Sequence, residues 1–78
     1  MNIRPEVMRF AKQMEIKLRR NDTKGGWEEC PLWWLRKRLL QEANEVKRAI
    51  KRGHNVWGEC ADVGNFAMMI AENFRKKP

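Results

Sequence analysis

The sequence predicts an all-α fold with three helices per chain, and three observations carry that prediction. Apolar residues recur at three- and four-residue spacing in three stretches, turn-forming residues separate those stretches at two points, and 78 residues exclude a barrel or a doubly wound sheet. The whole of 1–78 is read as one domain. At 42% hydrophobic and 35% charged, the chain has too many large apolar residues for disorder and no run apolar enough for a membrane span.

The first helix is expected over about 5–20. Pro5 suits a first helical turn, where its missing N–H is no loss. Val7, Phe10, Ala11, Met14 and Leu18 form one stripe, with Arg9, Lys12, Gln13 and Arg19 facing away. The turn chemistry of Asn21-Asp22-Thr23-Lys24-Gly25-Gly26 then ends it. A second helix is expected over about 31–52, opened by Pro31 and closed at Gly53, a residue at ease in a left-handed terminating position. With each residue turned by about 100°, Leu32, Leu35, Leu39, Ala43, Val46 and Ile50 fall within about 40° of one line, which makes them the expected core face.

A third helix is expected over about 56–74, before the basic tail Arg75-Lys76-Lys77. Val63, Ala67, Ile70 and Phe74 form its apolar face, while Phe66, Met68 and Met69 make it apolar on other sides as well. A chain this short buries only about 60% of the surface it exposes when unfolded, and its net stability is near zero on area against entropy. A homodimer or dimer of dimers, closing into a multi-helix bundle, is therefore expected. Cys30 and Cys60 lack a CxxC motif or a nearby His pair, so neither a disulfide framework nor a zinc site is expected. Met1-Asn2-Ile3-Arg4-Pro5 has no apolar stretch after its basic residue, and the expectation is a cytoplasmic protein without membrane contact.

Seventeen Lys plus Arg against ten Asp plus Glu give a net charge of +7, which calls for an anionic partner. Charge alone does not choose among nucleic acid, a membrane surface and a phosphorylated small molecule. Four acidic residues narrow the choice. Glu42 and Glu45 are spaced i, i+3 on the second helix, and Glu59 and Asp62 are spaced i, i+3 on the third, so each pair projects from one side of its helix. Glu42 lies about 60° from the centre of its helix's apolar stripe, at the border facing a neighbour. The short link from Arg52 to Asn55 predicts antiparallel packing, which brings the two pairs to similar height. Four facing carboxylates repel unless protonated or neutralised by a cation. Oxygen-only ligands suit Mg²⁺ or Mn²⁺, hard cations that keep waters and take phosphate oxygens in their remaining positions. On spacing alone a plainer reading stands beside this one. Glu42 and Glu45 are then solvated charges offset by Arg38, Lys47 and Arg48, with Glu59 and Asp62 favoured at the positive end of the third helix.

The stretch Leu40-Gln41-Glu42-Ala43-Asn44-Glu45-Val46, followed by Glu59-Cys60-Ala61-Asp62-Val63, resembles the paired ExxE and ExxD motifs of the MazG-like all-α nucleoside triphosphate pyrophosphohydrolases. Asn65 to Ala71 and the loop Lys24-Gly25-Gly26-Trp27 are similar to short phage and prokaryotic members, so the likeness spans roughly 12–74. It implies Mg²⁺ held by Glu42, Glu45, Glu59 and Asp62, with Glu42 and Glu45 also the catalytic candidates. The implied reaction is hydrolysis of a nucleoside triphosphate to monophosphate and pyrophosphate. The family often carries a Glu directly before the first ligand. This chain has Gln41 there, and an amide is no base.

Three further residues are substrate-binding candidates. Trp27 can stack on a base, Lys24 beside it can hold a phosphate as a point charge, and Asn65 continues the Glu59 and Asp62 line by three more residues. His54 reads as a turn residue, and the five methionines as deformable packing. The favoured function is a Mg²⁺-dependent nucleotide pyrophosphohydrolase. The alternatives are a small basic helical module that binds nucleic acid through its phosphates, and a non-catalytic helical oligomer. Crowded carboxylates repel nucleic acid, which makes it the less favoured partner.

Overall fold

A computed structural model describes residues 1–77, with the side chain of Lys24 outside the described set. Over that span the chain forms helix α1 (Pro5–Arg20), a short 3-10 turn (Asp22–Lys24), helix α2 (Leu32–Arg52) and helix α3 (Val56–Arg75), with no strand among the described residues. Pro31 stands just outside α2 as an extended cap, and its carbonyl accepts from the Trp34 and Leu35 amides at 3.1 Å. Gly53 ends α2 at φ 66°, in the left-handed region. There its amide donates to the Ile50 carbonyl and the His54 amide to the Ala49 carbonyl, both at 3.2 Å, satisfying carbonyls the helix leaves open. Asn55 repeats the left-handed turn at φ 60°, a conformation Asn tolerates better than bulkier residues. Two left-handed residues within three positions fold α3 back along α2.

Helix α3 lies in the middle: α1 and α2 each pack against it, and their backbones do not approach one another. The structure is a flat, open arrangement of 41 × 33 × 22 Å rather than a closed bundle. Side chains rather than backbone dictate how close each pair comes. A Cβ on Gly64 would lie 2.9 Å from Phe10 Cε2 and 3.3 Å from Met14 Sδ, so only the missing side chain admits α1. The Phe10 ring also meets the Trp57 ring edge-on, with centroids 5.6 Å apart.

The helices fall where the spacing predicts, but the packed faces of α2 and α3 do not. In α3 the buried residues are Gly58, Ala61, Asn65 and Met69, nearly opposite the Val63, Ala67, Ile70 and Phe74 line, and Phe74 is 67% exposed. A helix wedged between two neighbours needs small residues at closest approach, and that requirement outweighs raw apolarity. In α2 the buried residues are Leu35 and Ala49, while Ile50 is 64% exposed and Ala43 is exposed. The packed face is turned toward Glu42 from the expected stripe. In α1 only Phe10, Met14 and Leu18 of the predicted stripe are half-buried, and Val7 and Ala11 are exposed. The buried apolar core of the described chain comprises Leu35, Ala49, Ala61 and Met69. No helix among the described residues is long and apolar enough to cross a membrane.

Candidate functional site

Because α1 and α2 stand apart, the gap between them over α3 is a cavity of about 680 Å³. Lys17 and Leu18 line it from α1, Trp34, Arg38 and Glu42 from α2, Asp62, Asn65 and Phe66 from α3, and Trp27 from the loop. Glu42, Glu59 and Asp62 converge at one edge, each offering a carboxylate oxygen within 4.8 Å of the others. The rotation of α2 explains why Glu42 reaches this point: it stands near the middle of the packed face, its side chain 13% exposed. Three residues along α2 is about 60° short of a full turn, and Glu45 consequently points to the flank, where it pairs with Arg48. Three of the four sequence candidates are brought together; Glu45 stands outside the group.

The trio is only partly neutralised by its own surroundings. Lys17 Nζ lies 3.2 Å from Asp62 Oδ2, and Arg38 Nη2 donates to Glu42 Oε1 at 2.9 Å. Asn55 Nδ2 donates to Glu59 Oε1 at 3.2 Å. Burial raises the Glu42 carboxyl above its ordinary pKa, and Asp62 raises it further; Arg38 pulls it back down, and Glu59 adds to the rise. Proximity of Asp62 and Glu59 is therefore felt by Glu42 despite the arginine. Arg38 spans the site: its Nη1 donates to Gln41 Oε1 at 2.6 Å, and its guanidinium lies 5.0 Å from the Phe66 ring centroid.

Asn65 is buried, 4% exposed, on the cavity floor. Its Nδ2 donates to the Met14 carbonyl at 3.0 Å, which fixes the amide's orientation and leaves Oδ1 without a partner. Trp27 stands at the cavity rim, where the Lys76 ammonium lies 5.7 Å from its ring centroid. The loop carrying it is tied to α3 by Asn73, whose Nδ2 donates to the Trp27 and Cys30 carbonyls at 3.2 Å each. The Lys24 side chain lies outside the described residues.

Lys17, Trp34 and Asn73 are not among the site residues expected from the sequence, whereas Arg38 is expected there only as a charge offsetting Glu42 and Glu45. The i, i+4 step from Arg38 to Glu42 is a legible pairing signal, whereas Lys17 reaches Asp62 only through the packing of α1 on α3. Cys30 and Cys60 are free thiols. No family model, curated protein or solved structure matches the chain.

Proposed function

We propose that this chain is a divalent-cation-dependent nucleoside triphosphate pyrophosphohydrolase of the MazG-like kind. The observation that carries the reading is the convergence of Glu42, Glu59 and Asp62 from two helices at the edge of a cavity that also offers indole rings and cations. Its volume falls in the range of small-molecule sites. The donor set suits Mg²⁺ or Mn²⁺ in kind, since it offers three carboxylate oxygens within 4.8 Å of one another and such hard cations take oxygen ligands. The Glu42 carboxyl is raised first by burial and then by the charge of Asp62, with Glu59 adding to the rise against Arg38. A cation held there would supply charge neutralisation of the phosphates and make a nearby water more acidic.

The chain's own groups account for the rest of the reaction. Trp27 and Trp34 line the cavity as stacking partners for a base in this reading, and Lys17 and Arg38 line it as positive charges for phosphate oxygens. Water forms a bond to the α-phosphorus, the bond from that phosphorus to the oxygen bridging to the β-phosphate breaks, and pyrophosphate departs with that oxygen. Glu45, outside the trio and paired with Arg48, is the carboxylate this reading assigns to receive the water's proton, which requires it to turn from Arg48; Gln41 is occupied by Arg38 and has no basic atom. A homo-oligomer belongs to this reading, since the outward faces of α2 and α3 carry exposed Trp33, Leu40, Ile50 and Phe74.

Incubating the protein with a panel of nucleoside triphosphates and Mg²⁺ tests the proposal. Pyrophosphate release that stops with EDTA is the expected result, and orthophosphate alone, or no release from any nucleotide, would sink it. One observation favours a second reading. The Lys17–Asp62 and Arg38–Glu42 pairs suit a non-catalytic oligomer whose carboxylates serve only as ion-pair partners, and the same assay then gives no product.

A further inference from the structure

Helix α2 is an edge of the three-helix layer: of the other helices it packs on α3 alone, which leaves its far side open along 21 residues. With each residue turned by about 100°, Arg36, Lys37, Leu40, Asn44, Lys47 and Lys51 fall within about 50° of one line on that far side, and all six are exposed. The acids of α2 lie elsewhere. Glu42 is about 170° from the line and Glu45 about 130°, and each is matched within its own helix, by Arg38 and Arg48. Arg36, Lys37, Lys47 and Lys51 have no acidic partner among the described residues. The outward face therefore carries four positive charges and no negative one. Repulsion by the clustered carboxylates, which counts against nucleic acid, acts on the cavity side, because the body of a helix about 10 Å thick holds them about one screening length from this face.

The cations form two groups, Arg36 with Lys37 and Lys47 with Lys51, whose centres stand about 19 Å apart at about 1.5 Å per residue. Leu40 and Asn44 lie between the groups. A helix with its side chains is about 10–12 Å across, and the major groove of a DNA duplex is about 12 Å wide. Laid aslant in that groove, α2 sets one cationic group on each bank and its uncharged middle over the base edges. There a thymine methyl accepts apolar contact and adenine suits a side-chain amide. The deep, narrow major groove of an RNA duplex does not admit side chains in this way. A second copy of the chain is a poorer fit, since two such faces brought together set like charge against like.

We infer that the outward face of α2 binds duplex DNA in the major groove, with Arg36, Lys37, Lys47 and Lys51 on phosphates of both strands. This binding is separate from the reaction proposed above: it uses the opposite side of α2 and needs no metal.

Fluorescence anisotropy of a labelled duplex of about 20 base pairs, titrated in EDTA from about 50 to 200 mM NaCl, tests it. Each phosphate neutralised contributes about −0.9 to the slope of log K against log salt, so the face accounts for about −3.6 in wild type. Arg36→Gln/Lys37→Gln and Lys47→Gln/Lys51→Gln should each flatten the slope by about 1.8 and weaken binding about tenfold. Should a double variant lose helix by circular dichroism, the single Lys47→Gln takes its place with a change of about 0.9. Arg9→Gln/Lys12→Gln removes the same charge from exposed positions of α1 and should leave the slope within about 0.5 of wild type. Absence of duplex binding by wild type at the lowest salt overturns the inference and leaves the proposed reaction standing. So does a loss in the α1 control equal to that of the face variants, or tighter binding of a single strand than of the duplex. Duplex binding that the face variants retain, while they lose binding to phosphatidylserine vesicles or change assembly state in light scattering, also overturns it. Failure to release pyrophosphate from nucleotides sinks the proposed reaction and leaves this inference untouched.

Discussion

At the scale of single residues, Glu42 is where stability and the proposed function pull apart. Its carboxyl titrates above 4.5 because burial and the neighbouring Asp62 and Glu59 disfavour the charge more than Arg38 favours it. Folding therefore favours the protonated form. The stability this adds is complete below the ordinary value of 4.5 and is lost as pH rises through the elevated one. In EDTA at pH 7, Glu42→Gln should melt higher than wild type, and the advantage should vanish below pH 4.5. A lower melting temperature for the variant at pH 7 would mean that the Arg38 pair outweighs burial. A second expectation separates the carboxylates. Asp62→Asn should weaken Mn²⁺ binding by at least tenfold in calorimetry, whereas Glu45→Gln should change it less than threefold, since Glu45 stands outside the trio. Equal losses in the two variants would place Glu45 among the ligands after all.

At the scale of elements, α1 is the part held most lightly. It meets α3 through Phe10 and Met14 over Gly64 and through Lys17 on Asp62, while Val7 is 54% exposed. Gly64→Val puts two methyl groups into contacts that already sit at 2.9 and 3.3 Å from a single Cβ. Overpacking of this kind costs about 1–3 kcal/mol, more than the few tenths by which Val outranks Gly in a helix. Urea unfolding should register a loss of that size, and limited proteolysis should cut more readily between α1 and α2. A variant as stable as wild type would show that α1 is not seated on this glycine. The same helix supplies one wall of the cavity, so its detachment should also lower Mn²⁺-dependent tripolyphosphate binding.

At the scale of the whole molecule, the described chain buries few large side chains and exposes many. Leu35 is its largest fully buried side chain, while Ile3, Val7, Trp33, Leu40, Ile50, Trp57 and Phe74 are exposed. Apolar burial contributes about 25 cal/mol per Å², so about 1,000 Å² of interface between copies offsets much of the cost of association. Multi-angle light scattering should find an assembly of at least two 9.4 kDa chains at micromolar concentration. Phe74→Asp, on the outward face of α3, should shift it toward monomer. A folded wild-type monomer under those conditions would sink the assembly.

The sequence by itself determined the number of helices and nearly all their ends, because those follow from local chemistry: Pro5 and Pro31 at openings, Gly53 at a left-handed close, Gly25 and Gly26 in the loop. It also marked Glu42, Glu45, Glu59 and Asp62, since i, i+3 spacing is a property of one helix, but spacing did not tell that Glu45 would stand apart from the other three. Which face each helix buries was legible only in part. Periodicity ranks faces by apolarity, but α3 lies between two neighbours and turns its small residues Gly58, Ala61 and Gly64 toward the packing, leaving Phe74 outside. That choice depends on how closely three cylinders can approach, a quantity absent from any single helix. The rotation of α2 moved Glu42 inward and left Glu45 on Arg48, while the packing of α1 on α3, apart from α2, brought Lys17 across to Asp62 and left the cavity between α1 and α2. Those placements belong to tertiary structure because each joins residues whose separation is fixed by packing rather than by the chain between them.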